Sequence, residues 1–272
     1  MFKALKSAPF TAWFGLTVIA LYSLVAIFAP LIAPYGETDI VDMEFMPWEG
    51  AYILGTDNLG RDFFSRIVYG ARNTVGIALL TTILAFVIGA SLGLFSALRG
   101  GWVDQAMGRI VDVFMAIPSL IFQLLLLTIF GTAVPTLIMI IAVVDSTRVF
   151  RLARAVAMNI VVMDYIEAAR LRGDGTFRLV FREILPNASA PLVAEFGLRF
   201  CFVFLSISAL SFLGIGIQPP TADWGSMVRE NATLITFGDI TPLIPAGAIA
   251  LLTVAVNLVV DWMLHRSSGL KE

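Results

Sequence analysis

A chain of 272 residues that is 58% hydrophobic and only 14% charged is too apolar for an ordinary soluble domain, and its length allows several membrane spans. A formal net charge of −2 provides no bulk attraction to nucleic acid. A single cysteine, Cys201, excludes an internal disulfide, and a single histidine, His265, leaves a His-based metal site or a Ser-His relay without a partner.

The first ten residues carry Lys3 and Lys6, and the apolar run from about Thr11 to Ala33 has the roughly 20 residues that a bilayer requires. No Ala-x-Ala exit precedes Pro34, so the run reads as a retained first span and not as a cleaved leader. From Pro34 to Arg72 the chain is polar. Glu37, Asp39, Asp42, Glu44 and Glu49 mark an external acidic loop, and Leu54-Gly55-Thr56-Asp57-Asn58-Leu59-Gly60-Arg61-Asp62-Phe63-Phe64-Ser65-Arg66 follows. This second half reads either as an interfacial segment held by turns at Gly55 and Gly60 or as a contact for a substrate-delivering protein, with Asp57, Arg61 and Asp62 as candidates. Residues 1–72 form an N-terminal unit of one span and a loop, and 73–272 form a core of five spans.

Span 2, about Thr74 to Leu98, contains Gly89-Ala90-Ser91-Leu92-Gly93. Small residues one turn apart let helices approach closely in lipid, whereas a nucleophile elbow at Ser91 lacks a strand-turn-helix setting and a histidine. Span 3, about Ile110 to Phe130, follows Asp104 and Arg109 and contains Pro118, a position for a kink. Span 4, about Thr136 to Asp145, runs on into a basic helix with Arg148, Arg151 and Arg154 on one face.

Asp164-Tyr165-Ile166-Glu167-Ala168-Ala169-Arg170-Leu171-Arg172-Gly173 predicts a helix opened by a capping box at Asp164 and Glu167 and stopped by Gly173. A second short helix from about Thr176 places Phe177, Val180, Phe181 and Ile184 on one face and is ended by Pro186, after Leu185. Two short amphipathic helices at a sharp angle make a knob at about 155–189, and a plain solvated connecting loop is the alternative.

Span 5, about Ala190 to Ile217, carries the only opposite charges four residues apart within a span, Glu195 and Arg199. The pair reads as a salt bridge shared with Asp145 or Asp261, or as a gate on a polar path. Ser206, Ser208 and Ser211 read as helix packing or as lining of that path. Asp223 and Trp224 follow in the outer loop as further candidates for external contact, and Asn231-Ala232-Thr233 is a glycosylation sequon that a bacterial chain would leave unused. Span 6 runs from about Pro242 to Leu264. With both termini inside, thirteen of the eighteen basic residues fall on the inner side, as positive-inside insertion requires.

Three stretches carry a family resemblance. Glu167-Ala168-Ala169 with Gly173 and Ile184-Leu185-Pro186-Asn187 resembles the cytoplasmic loop of permease subunits in bacterial ATP-binding-cassette (ABC) importers. Leu54 to Arg72, and Ala209 to Pro220 with Asp223-Trp224-Gly225, closely resemble segments of the peptide and nickel branch. The whole chain is similar to its C-type permeases, which implies an all-α, type I importer fold with six transmembrane helices in the bacterial inner membrane. The resemblance further implies that Asp164, Tyr165, Glu167, Ala168, Ala169, Gly173, Leu185 and Pro186 couple to an ATPase. It implies a second permease, two ATPase subunits that bind ATP and Mg, and an external solute-binding protein, with di- or oligopeptides as cargo ahead of nickel or a chelate. The chain itself has no phosphate-cradling loop, since Lys3, Lys6 and Lys271 are its only lysines. The competing function is an ion-coupled secondary transporter using Asp145, Glu195, Arg199 and Asp261, against which stands the lack of matching broken spans in the two halves.

Overall fold

The computed structural model describes residues 8–48 and 52–267; Lys3, Lys6, Glu49 and Lys271 lie outside them. Among the described residues the chain is helical, with only two isolated bridges, Ile40 to Arg61 and Thr56 to Asp62. Helix α1 is Phe10–Ile27, and a break at Phe28 leads into the single turn α2, Ala29–Ile32, which has a proline in its first turn. Helix α3, Phe63–Arg99, crosses the molecule and includes a π turn at Ala71–Val75. Then come α4, Gly101–Ala116, α5, Ser119–Phe130, and α6, Val134–Val161. Helix α7 is Asp164–Leu171, α8 Thr176–Phe212, α9 Trp224–Asn231 and α10 Leu243–Ser267.

Four of these helices, α1, α3, α8 and α10, are long and apolar enough to cross a membrane, and the bent pair α4–α5 makes a fifth candidate. Span 3 is therefore not one kinked helix. Pro118 has no amide hydrogen to donate to the preceding turn, and the chain turns by 88° there. The twelve residues of α5 amount to only about 18 Å of helix.

Pro186, expected to stop the second knob helix, lies inside α8 instead. The π turn at Leu179–Ile184 directly before it widens the hydrogen-bond ladder where the missing donor would otherwise break it. The knob thus has one short helix, and its second arm is the inner end of a 37-residue rod. That rod ends at Phe212, before the expected Ile217, because Gly214 takes φ +85° and directs the Ile215 amide back to the Leu210 carbonyl.

The most extensive helix pair is α3 with α6. Gly89 and Gly93 sit against it, where an added methyl would collide with the carbonyl oxygens of Ser146 and Phe150, so this pair of small residues serves packing. Buried side chains form two clusters. An outer one gathers Phe63, Leu137, Phe204 and Trp224, and an inner one gathers Leu94, Ala157, Ile166 and Ile184.

Candidate functional site

Helix α7 starts after Met163, whose extended backbone leaves the helix without a side-chain cap. The expected capping box is thus absent, and Asp164 and Glu167 lie within the first turn, where their charges oppose the positive end of the helix dipole. Gly173 does stop the helix. At φ +85° it donates to the Arg170 carbonyl at 2.9 Å, and the next amide, Asp174, reaches the Ala169 carbonyl at 3.1 Å. Ile166 and Ala169 are fully buried against the inner ends of α3 and α6, together with Leu179, Val180 and Ile184 from the start of α8.

The other face of the knob stays open. Leu171 is 83% exposed, Phe177 76%, and Tyr165 and Phe181 are also exposed, the two phenyl rings 4.4 Å apart. Asp164, Glu167, Ala168, Gly173 and Pro186 share that exposure, whereas Leu185 is half-buried and Ala169 is covered. Arg172 and Arg178 reach Asp174 at 3.2 and 3.0 Å and tie the turn after Gly173 to α8. One face is anchored in the inner core and the other presents large apolar groups beyond the apolar spans, an arrangement suited to docking another protein.

A second cluster lies deeper. Arg199 of α8 donates to Glu195 at 2.8 Å and to Asp145 of α6 at 3.3 Å; Asp145 also accepts from Arg148 at 3.3 Å and from Gln123 of α5 at 3.3 Å. Asp145 and Arg199 are buried, and Phe202 packs under the guanidinium at 5.1 Å. The shared salt bridge expected with Asp145 is present, whereas Asp261 stands exposed on α10. Gln123 carried no signal in the sequence, being one amide in an apolar run. Ser208 and Ser211 are buried beneath α9, whose Gly225 abuts the Ser208 carbonyl; Ser208 donates to the Phe204 carbonyl and Ser211 accepts from the Ile217 amide. Ser206 is half-buried. For Ser208 and Ser211 this geometry is helix packing, with no surface left to line a path.

The outer loops form a cap. Asp57 accepts from Arg61 Nε at 2.8 Å, from Arg66, and from the amides of Leu59 and Arg61, while Glu230 of α9 lies 3.5 Å from both guanidinia. Asp62 caps α3 by accepting from the Ser65 amide at 2.8 Å. Asp223 caps α9 by accepting from the Ser226 amide at 2.9 Å, and it also accepts from the Thr74 hydroxyl at 2.9 Å. Trp224 donates to the Ile67 carbonyl at 3.0 Å, with its ring against Tyr22 and Phe204. Asp57, Arg61, Asp62, Asp223 and Trp224 are all buried. That corrects their assignment as external contacts, because a side chain enclosed by its own chain has no surface left for a partner. Burial pushes the Asp223 carboxyl above the ordinary range against its hydrogen bonds, and it raises the Glu230 carboxyl against the pull of Arg61. Sequence reading missed Glu230 and Thr74, whose partners are remote in the chain.

Residues 85–268 match the family model described as binding-protein-dependent transport system inner membrane component, and residues 11–47 match that of the N-terminal TM domain of oligopeptide transport permease C. A dipeptide transport system permease protein of Haemophilus influenzae is 36% identical, covering 92% of this chain and 87% of that protein. A di/tripeptide transport system permease protein of Pseudomonas aeruginosa is 35% identical, covering 91% and 84%. A glutathione transport system permease protein of Pectobacterium atrosepticum is 32% identical, covering 91% and 82%. An anchored knob, four long apolar helices and a match over most of the length converge, and the chain belongs to the binding-protein-dependent inner-membrane components, as a C-type permease subunit of a bacterial ABC importer.

Proposed function

We propose that this permease forms half of a peptide path, paired with a second permease, driven by two ATPase subunits docked on the knob and supplied by an external binding protein. The observation that carries the coupling is the two-faced knob: Ile166 and Ala169 tie it to the inner core, and Tyr165, Leu171, Phe177 and Phe181 remain outward. ATP and Mg then belong to the docked subunits, and the helices of this chain carry their motion across the bilayer. Dipeptides as cargo are supported by the names of the relatives. The N-terminal unit 1–72 adds one span and most of the cap to the core 73–272.

Six spans with both termini cytoplasmic fit this reading. Helix α6 is the sixth, at 28 residues or about 42 Å, with Asp145 paired to Arg148 and Arg199 where it would otherwise be costly in lipid. Reporter fusions after Gly131 and Glu230 should read outside, and those after Gly101 and Gly173 inside. An inside signal after Glu230 would remove one of the last two spans.

The decisive assay is uptake of a labelled dipeptide into vesicles holding the complete importer, with ion gradients collapsed. Uptake should require ATP and vanish when Phe177 and Leu171 are both changed to serine, with the two permeases still paired. Uptake that persists without the ATPase subunits and stops when the proton gradient is collapsed would instead make this an ion-coupled carrier.

A further inference from the structure

The right-angle bend at Pro118 sets α4 across the bundle. Helix α5 runs antiparallel beside α6, since Ser119 meets Arg148 and Gln123 meets Asp145. A helix turned 88° from α5 therefore lies across α6, not along it. Its contacts agree: Asp104, near its start, pairs with Arg154, and Met115, near its end, meets Arg151. The sixteen residues of α4, about 24 Å, thus pass over α6 where that helix becomes basic. None of its residues is buried. It alternates Trp102, Met107, Ile110 and Val113 with Gln105, Arg109 and Asp112, the composition of a helix lying in the plane of the membrane–water boundary.

Between α4 and α6 lies a groove of about 460 Å³ lined by Gln105, Arg109, Asp112, Arg151 and Arg154. At Phe150 it meets an apolar cleft of about 200 Å³, lined by Leu92, Met107, Ile110 and Val111, that lies toward the bilayer interior. Two carboxylates, Asp104 and Asp112, line the groove with the three arginines. Asp104 is taken up by Arg154 and in turn accepts from Ser96, and Arg109 and Arg151 form no ion pair among the described residues. Cations at the boundary and hydrocarbon further in follow the order of a phospholipid's own parts.

We propose that this groove binds one anionic phospholipid of the inner leaflet, its phosphate against Arg109 and Arg151 and an acyl chain along Met107, Ile110 and Leu92. Guanidinium groups present paired donors that match a phosphate, and basic pockets between spans on the cytoplasmic side are where anionic headgroups settle. The lipid fills the angle that α4 makes with the bundle and fixes the helix at its depth.

The test uses the complete importer reconstituted in phosphatidylethanolamine and phosphatidylglycerol, then extracted and weighed intact to count retained lipids. Wild type should keep phosphatidylglycerol, and the double change Arg109→Ala, Arg151→Ala should lower its retained affinity by about an order of magnitude or more. The double change to lysine should keep most of it. A photoreactive phosphatidylglycerol should label Met107 and Ile110 in the wild-type complex, an arm that stands even if the alanine variant fails to assemble. Equal retention by the alanine variant, labelling elsewhere, or a cysteine at Ile110 that cross-links to the second permease would each overturn the proposal. The readout is bound lipid and not transport, so it is independent of the cargo.

Discussion

The outer cap and the inner knob both carry a strong sequence signature, and they use their residues in opposite ways. In the cap the charged and aromatic candidates turn inward: Asp57, Arg61, Asp62, Asp223 and Trp224 are at most 3% exposed. In the knob one face is buried, with Ile166, Ala169, Leu179, Val180 and Ile184, and Tyr165, Leu171, Phe177 and Phe181 are left outward. A signature of charges can therefore be a device for holding spans together, and a signature of small and apolar residues can be a docking face. Residue type alone did not separate the two.

The contrast predicts different failures. The largest effect belongs in the cap. Asp57→Ala leaves the buried Arg61 and Arg66 with only Glu230 at 3.5 Å, a loss of about 3–5 kcal/mol. The subunit should fail to accumulate, read as the amount extracted from membranes. Normal accumulation would mean that the cap is not structural.

In the knob, Gly173→Val should leave accumulation nearly intact and stop ATP-dependent uptake. Forcing a β-branched residue to φ +85° costs about 1 kcal/mol or more and redirects the turn. Wild-type uptake from an assembled complex would sever the link between the turn and transport.

The membrane cluster sits between these extremes. Arg199→Met strands Glu195, leaves Asp145 with only Arg148 and Gln123, and should lower the thermal stability of the purified subunit by about 3 kcal/mol. Exchanging the pair, Glu195→Arg with Arg199→Glu, should not restore it, because the new carboxylate faces Asp145, which Arg199 now reaches at 3.3 Å. Adding Asp145→Asn to the exchange should recover part of the loss. Full recovery by the exchange alone would reduce the cluster to an isolated pair within α8.

The smallest effect is on pH. Burial raises the Glu230 carboxyl above its ordinary value of 4.5, so the folded cap holds that proton more tightly than the unfolded chain. Its contribution is complete below about pH 4.5 and declines as pH rises through the folded value. Glu230→Gln should flatten the fall in melting temperature over that window, and an unchanged slope would assign it to other groups.

The apolar runs made the spans of α1, α3, α8 and α10 legible, and Gly89 and Gly93 gave the close packing of α3 on α6. What failed was the meaning of proline. Pro118 breaks its span while Pro186 is absorbed, and the difference lies in the π turn at Leu179–Ile184, a backbone state with no residue pattern of its own. The cap's charges read as exposed because a polar stretch between spans ordinarily meets water. Their burial depends on α9, whose Glu230 and Asp223 reach the loop and Thr74 only after the outer ends of the helices have come together. The deeper salt bridge was legible because both partners share one helix and a four-residue spacing.

The absorbed proline has a mechanical consequence. Because α8 runs unbroken from Thr176 to Phe212, with Arg199 tying it to α6, it has the form of a see-saw. About 35 Å of rod lies between that pivot and the knob, and about 20 Å between it and the outer end. A tilt about the pivot carries the two ends in opposite directions, with the longer stroke at the knob, so under the proposed docking leverage would favour the end on which the ATPase acts.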